Sequence, residues 1–246
     1  MGLLHSFESS GNWLFKRRGW LPVVLFLLAV PVIFTTDYNN IGDNVKLYTG
    51  ITAVLVSFMG LLIRAYTVGT TPKGTSGRNT DEQIAESLNS TGIYCVVRHP
   101  LYLGNYLMWI GIVIYTLNWY FVITVSLMYW LYYERIMFAE ERFLERKFGQ
   151  IYLDWSLKAP AFIPSFKHLV KASLPFSMTT VLRREYSGVL NTVIGFLFVN
   201  VLRYDAINGG FKFFAWQGYL LGITLVLVLI LRTLKRTGRL AEEGRS

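Results

Sequence analysis

The chain has 246 residues, 53% hydrophobic and 16% aromatic against only 16% charged, with a mean hydropathy of +0.39; this excludes an ordinary soluble domain and places it in a bilayer. A formal charge of +9 at pH 7 and a pI near 9.6 invite a nucleic-acid partner, but where the bases sit decides that question.

From the N-terminus, a basic cluster (Lys16, Arg17, Arg18) precedes the first apolar stretch, residues 20–36. No small-residue cleavage pattern follows it and "TTDYNN" reads as a loop, so a retained span is expected rather than a removed leader. Further spans are predicted at residues 45–66, 102–117, 119–139, 187–204 and 213–231, most of them near the ~17–25 residues that a spanning helix needs. The expected fold is therefore all-α, a polytopic membrane protein of about six helices forming one domain. With the N-terminus in the cytoplasm, only Lys46, Arg203 and Lys212 fall on the far side, and the other 21 Lys and Arg face the cytoplasm. That asymmetry is the positive-inside signal, and it explains the basic pI without nucleic acid. Both termini are then cytoplasmic, and so are the two largest connecting segments, 67–101 and 140–186.

Between those segments, spans three and four are joined only at Leu117, Asn118 and Trp119, so residues 101–139 form a tight antiparallel hairpin that delivers both segments to one place. The segment "TVGTTPKGTSGRNT", residues 67–80, carries Lys73 and Arg78 but lacks the spacing of a phosphate loop. It reads equally as a flexible connection or as a lid over a head group or cofactor. The single cysteine, Cys95, forms no intramolecular disulfide and is expected to be a bystander.

In "STGIYCVVRHPLYLGNY", residues 90–106, Pro100 suits the first position of a helix because its missing N–H would be unbonded there anyway. Arg98 and His99 then stand at a helix N-terminus, where the dipole favours anions and a guanidinium gives a two-pronged contact to carboxylate or phosphate. The plainer reading is membrane anchoring, with Arg98 at the interface, His99 as a cap, and Tyr94 and Tyr102 in the aromatic belt. The fourth span runs on into "YWLYYERIMFAEERFLERKFG" until Gly149 ends the helix. The helical neighbours of Glu140 are Ile136, Met137, Phe143 and Leu144, all apolar; Glu141 has Met137, Phe138 and Leu144 beside it, with Glu145. Acidic residues in an apolar stripe at the membrane boundary need a partner from elsewhere. That partner is either Arg98 or another base across the hairpin, or a cationic ligand.

Together these residues resemble the isoprenylcysteine carboxyl methyltransferase and phospholipid methyltransferase superfamily, integral membrane enzymes that use S-adenosyl-L-methionine. The likeness rests on Gly92, Tyr94, Arg98, His99, Pro100, Tyr102 and Gly104, then on Glu140, Glu141, Phe148, Gly149 and Tyr152, with the ending Phe162, Ile163, Pro164 and, upstream, Arg64 and Gly69. It covers about residues 60–166, the expected methyltransferase core. It implies a cofactor held by Tyr94, Arg98, His99, Pro100, Tyr102, Gly104, Glu140 and Glu141, with a membrane lipid or lipidated substrate arriving sideways from the bilayer. Arg64, Lys73 and Arg78 are candidate substrate contacts. Arg98 and Glu141 are the candidate catalytic pair, Arg98 more as an anion clamp; were the acceptor an amine, Glu141 or His99 would take its proton. No metal is expected, and oligomeric state is left open.

After residue 170 the chain departs from the pattern: an extra helix pair, about 187–231, and the basic tail "RTLKRTGRLAEEGRS" follow. The pair is expected to shape a lipid slot or a dimer face, and the tail to anchor at the membrane surface. A transporter or a non-catalytic scaffold are the competing readings, but the ionisable residues gather at one membrane face, with little beyond Asn191 and Asn200 at the midplane where transport sites lie.

Overall fold

A computed structural model describes residues 2–75 and 83–245. Among these the regular structure is entirely helical: α1 (Leu3–Arg17), α2 (Leu21–Thr35), α3 (Asp43–Thr70), α4 (Pro100–Ile114), α5 (Trp119–Phe148), α6 (Gln150–Ser156), α7 (Met178–Asn208) and α8 (Ala215–Arg236). Each of the six expected spans coincides with one of α2, α3, α4, α5, α7 and α8. Four helical stretches are long and apolar enough to cross a membrane: Leu3–Thr35, Asp43–Thr70, Met178–Asn208 and Ala215–Arg236. The 15 residues of α4 rise only ~22 Å, short of a ~30 Å hydrocarbon core, while α5 is long but ends in charged residues.

The turnback between α4 and α5 is built from Leu117, whose backbone takes a left-handed φ of 62°, and Asn118, whose side chain accepts from the Phe121 N–H at 2.9 Å. The Asn118 amide also donates to Thr36 at 3.0 Å, tying the turn to the end of α2. At the other end of the bundle, Gly149 adopts a φ of +55° and closes α5, and α6 then meets the segment before α4, where Trp155 Nε1 donates to the Tyr94 carbonyl at 3.2 Å. There, Arg98 N–H and His99 N–H donate to the carbonyls of Pro160 and Ala161 at 2.8 and 3.3 Å. These bonds fix the segment before α4 against the chain that follows α5.

Helix α4 lies hard against α3. A Cβ at Gly60 would stand 2.5 Å from the Gly104 carbonyl, so this crossing requires glycine, and Ser57 Oγ donates to the Met108 carbonyl at 2.7 Å to hold it.

Two elements differ from expectation. The residues before the first span form α1, an amphipathic helix packed on the charged half of α5, where Tyr132 donates to the Leu14 carbonyl at 3.1 Å and the Arg135 guanidinium stacks 3.3 Å over Phe7. The tail does not simply lie along a surface. Arg245 Nη1 donates to the Gly69 carbonyl at 2.6 Å, Gly244 accepts from Lys73 N–H at 3.0 Å, and Glu242 accepts from Ser177. The tail thus folds back over the end of α3 and the start of α7, because a buried guanidinium and a carboxylate find partners there.

Candidate functional site

The ends of α3, α4, α5 and α7 enclose a cavity of about 560 Å³, within the range of small-molecule sites. Of the residues singled out in the sequence, Arg64, Tyr94, Arg98, His99, Pro100, Tyr102, Glu140 and Glu141 line it. Gly104 does not: it faces α3, where a Cβ would meet Arg64 Cγ at 2.5 Å, so its lack of a side chain serves helix packing. Lys73 is exposed and off the wall, and Arg78 lies outside the described residues.

The carboxylates at 140 and 141 do find bases across the hairpin. His99 sits between them, with Nε2 2.9 Å from Glu141 Oε1 and Nδ1 3.6 Å from Glu140 Oε2. Glu140 Oε1 accepts from the Tyr102 hydroxyl at 2.7 Å, and the His99 and Tyr102 rings stack 5.7 Å apart. Arg98 Nε lies 3.0 Å from Glu141 Oε1 without the alignment of a hydrogen bond, while its Nη1 donates to the Ser156 carbonyl at 2.8 Å. His99 therefore does not cap α4 with its side chain. Nor are all the backbone N–H groups at this helix start open to an anion, since those of Arg98 and His99 are taken by carbonyls.

Burial pulls His99 toward its neutral form, but the hydrogen bonds and charges of Glu140 and Glu141 outweigh it and hold its pKa above the ordinary value. Burial pushes Glu141 up, yet its contact with His99, then the His99 and Arg98 charges, leave its pKa below the usual carboxylate value. Burial lifts the Tyr94 hydroxyl to about 12, and its carbonyl accepts from Trp155 Nε1 at 3.2 Å. The phenol of Tyr152 is raised as well, by burial and by Glu141.

The same cavity carries a second polar station that sequence reading missed in part. Arg64 on α3 donates from Nε and Nη2 to the two oxygens of Glu185 at 2.7 and 2.8 Å, and from Nη1 to Asn105 at 2.6 Å. Glu185 belongs to α7 and stands behind the wall, while Arg184, Ser187, Gly188 and Asn191 of that helix line the cavity. The first helix of the extra pair is thus part of the cavity wall and begins at Met178, not near 187. A signal was present: the helical neighbours of Glu185 are Val181, Leu182, Gly188 and Val189, the same acid in a non-polar stripe that marks Glu140. Of the two mid-span asparagines, Asn191 is on the wall. Asn200 instead links α7 to Tyr115 at 2.7 Å and to Gln217 of α8 at 2.8 Å.

Residues 46–151 match the family model described as phospholipid methyltransferase. A Protein-S-isoprenylcysteine O-methyltransferase of Schizosaccharomyces pombe (strain 972 / ATCC 24843) is 32% identical over 89 residues, 36% of this chain. The match spans 36% of that relative's own length, so the likeness is to about a third of it. No solved structure matches the chain. Both matches support the superfamily likeness carried by the Arg98-His99-Pro100 and Glu140-Glu141 motifs.

Proposed function

We propose that this integral membrane chain, similar through residues 46–151 to the phospholipid methyltransferases, transfers a methyl group from S-adenosyl-L-methionine to a lipid-borne acceptor. The observation that carries the reading is the convergence of Arg98, His99, Glu140 and Glu141 on one cavity that runs on to apolar Met108 and Trp109.

The donor set fits the cofactor. Arg98 suits its carboxylate as a guanidinium fork. Glu140 suits its ammonium, because Glu140 Oε2 is only loosely engaged by His99 at 3.6 Å and its side chain is 24% exposed. Tyr94 and Tyr102 on the cavity wall give a sulfonium aromatic neighbours. When bound, this cofactor supplies an electrophilic methyl carbon: an acceptor lone pair forms the new bond to carbon as the carbon–sulfur pair leaves with sulfur, giving S-adenosylhomocysteine.

The chain's own residues then hold and align the reactants, worth up to ~7–11 kcal/mol in well-oriented systems. The charges of Glu140 and Glu141 raise the pKa of His99, while His99 and Arg98 lower that of Glu141, so Glu141 is the weaker base of the two and His99 the one suited to take an amine proton. An acceptor already ionised near neutral pH needs no base. By the distribution of Lys and Arg, the charged end of the bundle and the mouth of the cavity face the cytoplasm.

The test is to titrate the purified full-length protein with S-adenosylhomocysteine and follow its thermal unfolding. Saturating ligand is expected to raise the melting temperature. No shift at millimolar ligand would remove the reading. Incubating lipid extracts with methyl-labelled cofactor then identifies the acceptor fraction.

A further inference from the structure

Along α4 the cavity wall changes character in steps of one helical turn. His99 and Tyr102 stand at the charged end, Asn105 comes next with Arg64 opposite, and Met108 and Trp109 follow, with Leu21 and Pro22 of α2 on the same wall. A ligand with an apolar tail and a polar head, entering from the apolar end, meets the Arg64 station before it reaches the His99 cluster.

The Arg64 guanidinium is unusually well fixed. Glu185 grips it through both carboxylate oxygens and Asn105 takes a third bond. Its side-chain stem lies where any side chain at residue 104 would be, which only glycine permits. A guanidinium has five N–H donors and no acceptor. Three are engaged, leaving two with no partner among the described residues, on a side chain that lines the cavity and is 18% exposed. Glu185, 6% exposed at its side chain, has both oxygens on Arg64 and none to spare for an ammonium.

We propose that Arg64 is the acceptor-binding group and that Glu185, on a helix beyond the family-matched segment, is a positioning residue that aims it, so that the acceptor head is an oxyanion, carboxylate or phosphate, rather than an amine. This rests on the methyltransferase reading of the same cavity. Helix α7 thereby gains a chemical role, since the helix that the family-like segment lacks sets the register of the arginine that the segment supplies. The two remaining N–H groups, one on Nη1 and one on Nη2, are the donors left for an anionic oxygen, and a lysine at residue 64 would keep the charge but lose the planar guanidinium that carries them.

The test uses the full-length protein in phosphatidylcholine nanodiscs and three probes that share one tail: N-acetyl-S-farnesylcysteine for a carboxylate, farnesyl phosphate for a phosphate, and farnesylamine for an ammonium. Binding is read by calorimetry, alongside S-adenosylhomocysteine. The wild type is expected to bind at least one anionic probe about tenfold or more tighter than the amine, and the anionic arm that wins names the head group. Glu185→Gln and Arg64→Lys are each expected to weaken that probe about tenfold while S-adenosylhomocysteine affinity stays within about threefold. Glu185→Asp, which keeps the carboxylate, is expected to recover part of the loss. Equal or tighter binding of farnesylamine, no binding of any probe, or parallel loss of both ligands in the two variants overturns the assignment. Should Glu185→Gln not fold, Arg64→Lys carries the test alone. Failure of S-adenosylhomocysteine to bind the wild type is a separate result, which removes the methyltransferase reading itself.

Discussion

The cavity holds two polar clusters of opposite design. Around His99, the contacts range from 2.7 to 3.6 Å, Glu140 and Glu141 are each 24% exposed at the side chain, and one guanidinium nitrogen is near a carboxylate without bonding to it. Around Arg64, three hydrogen bonds of 2.6 to 2.8 Å close a bidentate pair whose carboxylate is 6% exposed. The first cluster is satisfied loosely enough to exchange a partner for a ligand, which is what a cofactor site requires. The second is closed, and breaking it leaves a buried charge with no substitute. Loose and closed clusters should therefore fail differently when mutated: the first in cofactor binding with little loss of stability, the second in stability together with acceptor binding, with the cofactor spared.

The sharpest contrast is expected from Glu185→Ala. It strands the Arg64 guanidinium between α3 and α7, and removal of one member of a buried pair costs about 3–5 kcal/mol. The measurement is chemical or thermal unfolding of the detergent-solubilised protein, and the double variant Arg64→Leu/Glu185→Ala should recover much of the loss by removing the stranded charge. Stability unchanged in Glu185→Ala would erase the distinction between the clusters.

Next in size are His99→Ala and Glu140→Ala. Each removes a charged partner from the half-open cluster, and a lost charge-assisted contact in a shielded pocket is worth about 1–3 kcal/mol, or about 5- to 150-fold in affinity. The expected reading is a matching rise in the S-adenosylhomocysteine dissociation constant, with a smaller change in melting temperature than Glu185→Ala produces. Wild-type affinity in both variants would remove the proposed cofactor site. The ratio of binding loss to stability loss, compared across the two clusters, is the quantity that tests the comparison.

The loose cluster was legible because it is written in short local motifs. Pro100 after Arg98-His99 marks a helix start, Gly149 marks a helix end, and the brevity of the connection at Leu117–Asn118 forces the two ends together. Each is a rule about neighbours in sequence. The same rules place α2, α3, α7 and α8 to within a few residues, save that α7 extends nine residues earlier than its apolar stretch because Ser177 caps it with a bond from Thr180 N–H at 3.1 Å. The closed cluster joins residues 121 apart, and nothing in local spacing pairs Arg64 with Glu185. What the sequence did hold was half of it, an acid in an apolar stripe at Glu185 whose partner had to be found by packing. Gly104 shows the opposite failure: its place beside the motif points to the ligand, but its neighbour is the stem of Arg64. The α1 helix was equally local in pattern, with Leu3, Leu4, Phe7, Gly11, Leu14 and Phe15 on one face, and was hidden only by its polar remainder.

The smallest expected effect separates the clusters by pH. His99 has its pKa raised in the folded state, so its contribution to stability is fully present below the ordinary value of 6.5 and is lost as pH rises through the raised value. Glu141 has its pKa lowered, so its contribution is present above 4.5 and is lost as pH falls through the lowered value. Between pH 4.5 and 6.5 both are in place, and the melting temperature of the wild type is expected to decline on the alkaline side of that window. His99→Gln should flatten the alkaline decline, because an amide hydrogen-bonds without titrating. Glu185→Gln should leave the alkaline slope as it is while lowering the whole curve, because the carboxylates that hold the imidazole charged are those of Glu140 and Glu141, not that of Glu185. A slope that survives His99→Gln would mean that some other group titrates there, and the half-open character assigned to the His99 cluster would lose its thermodynamic signature.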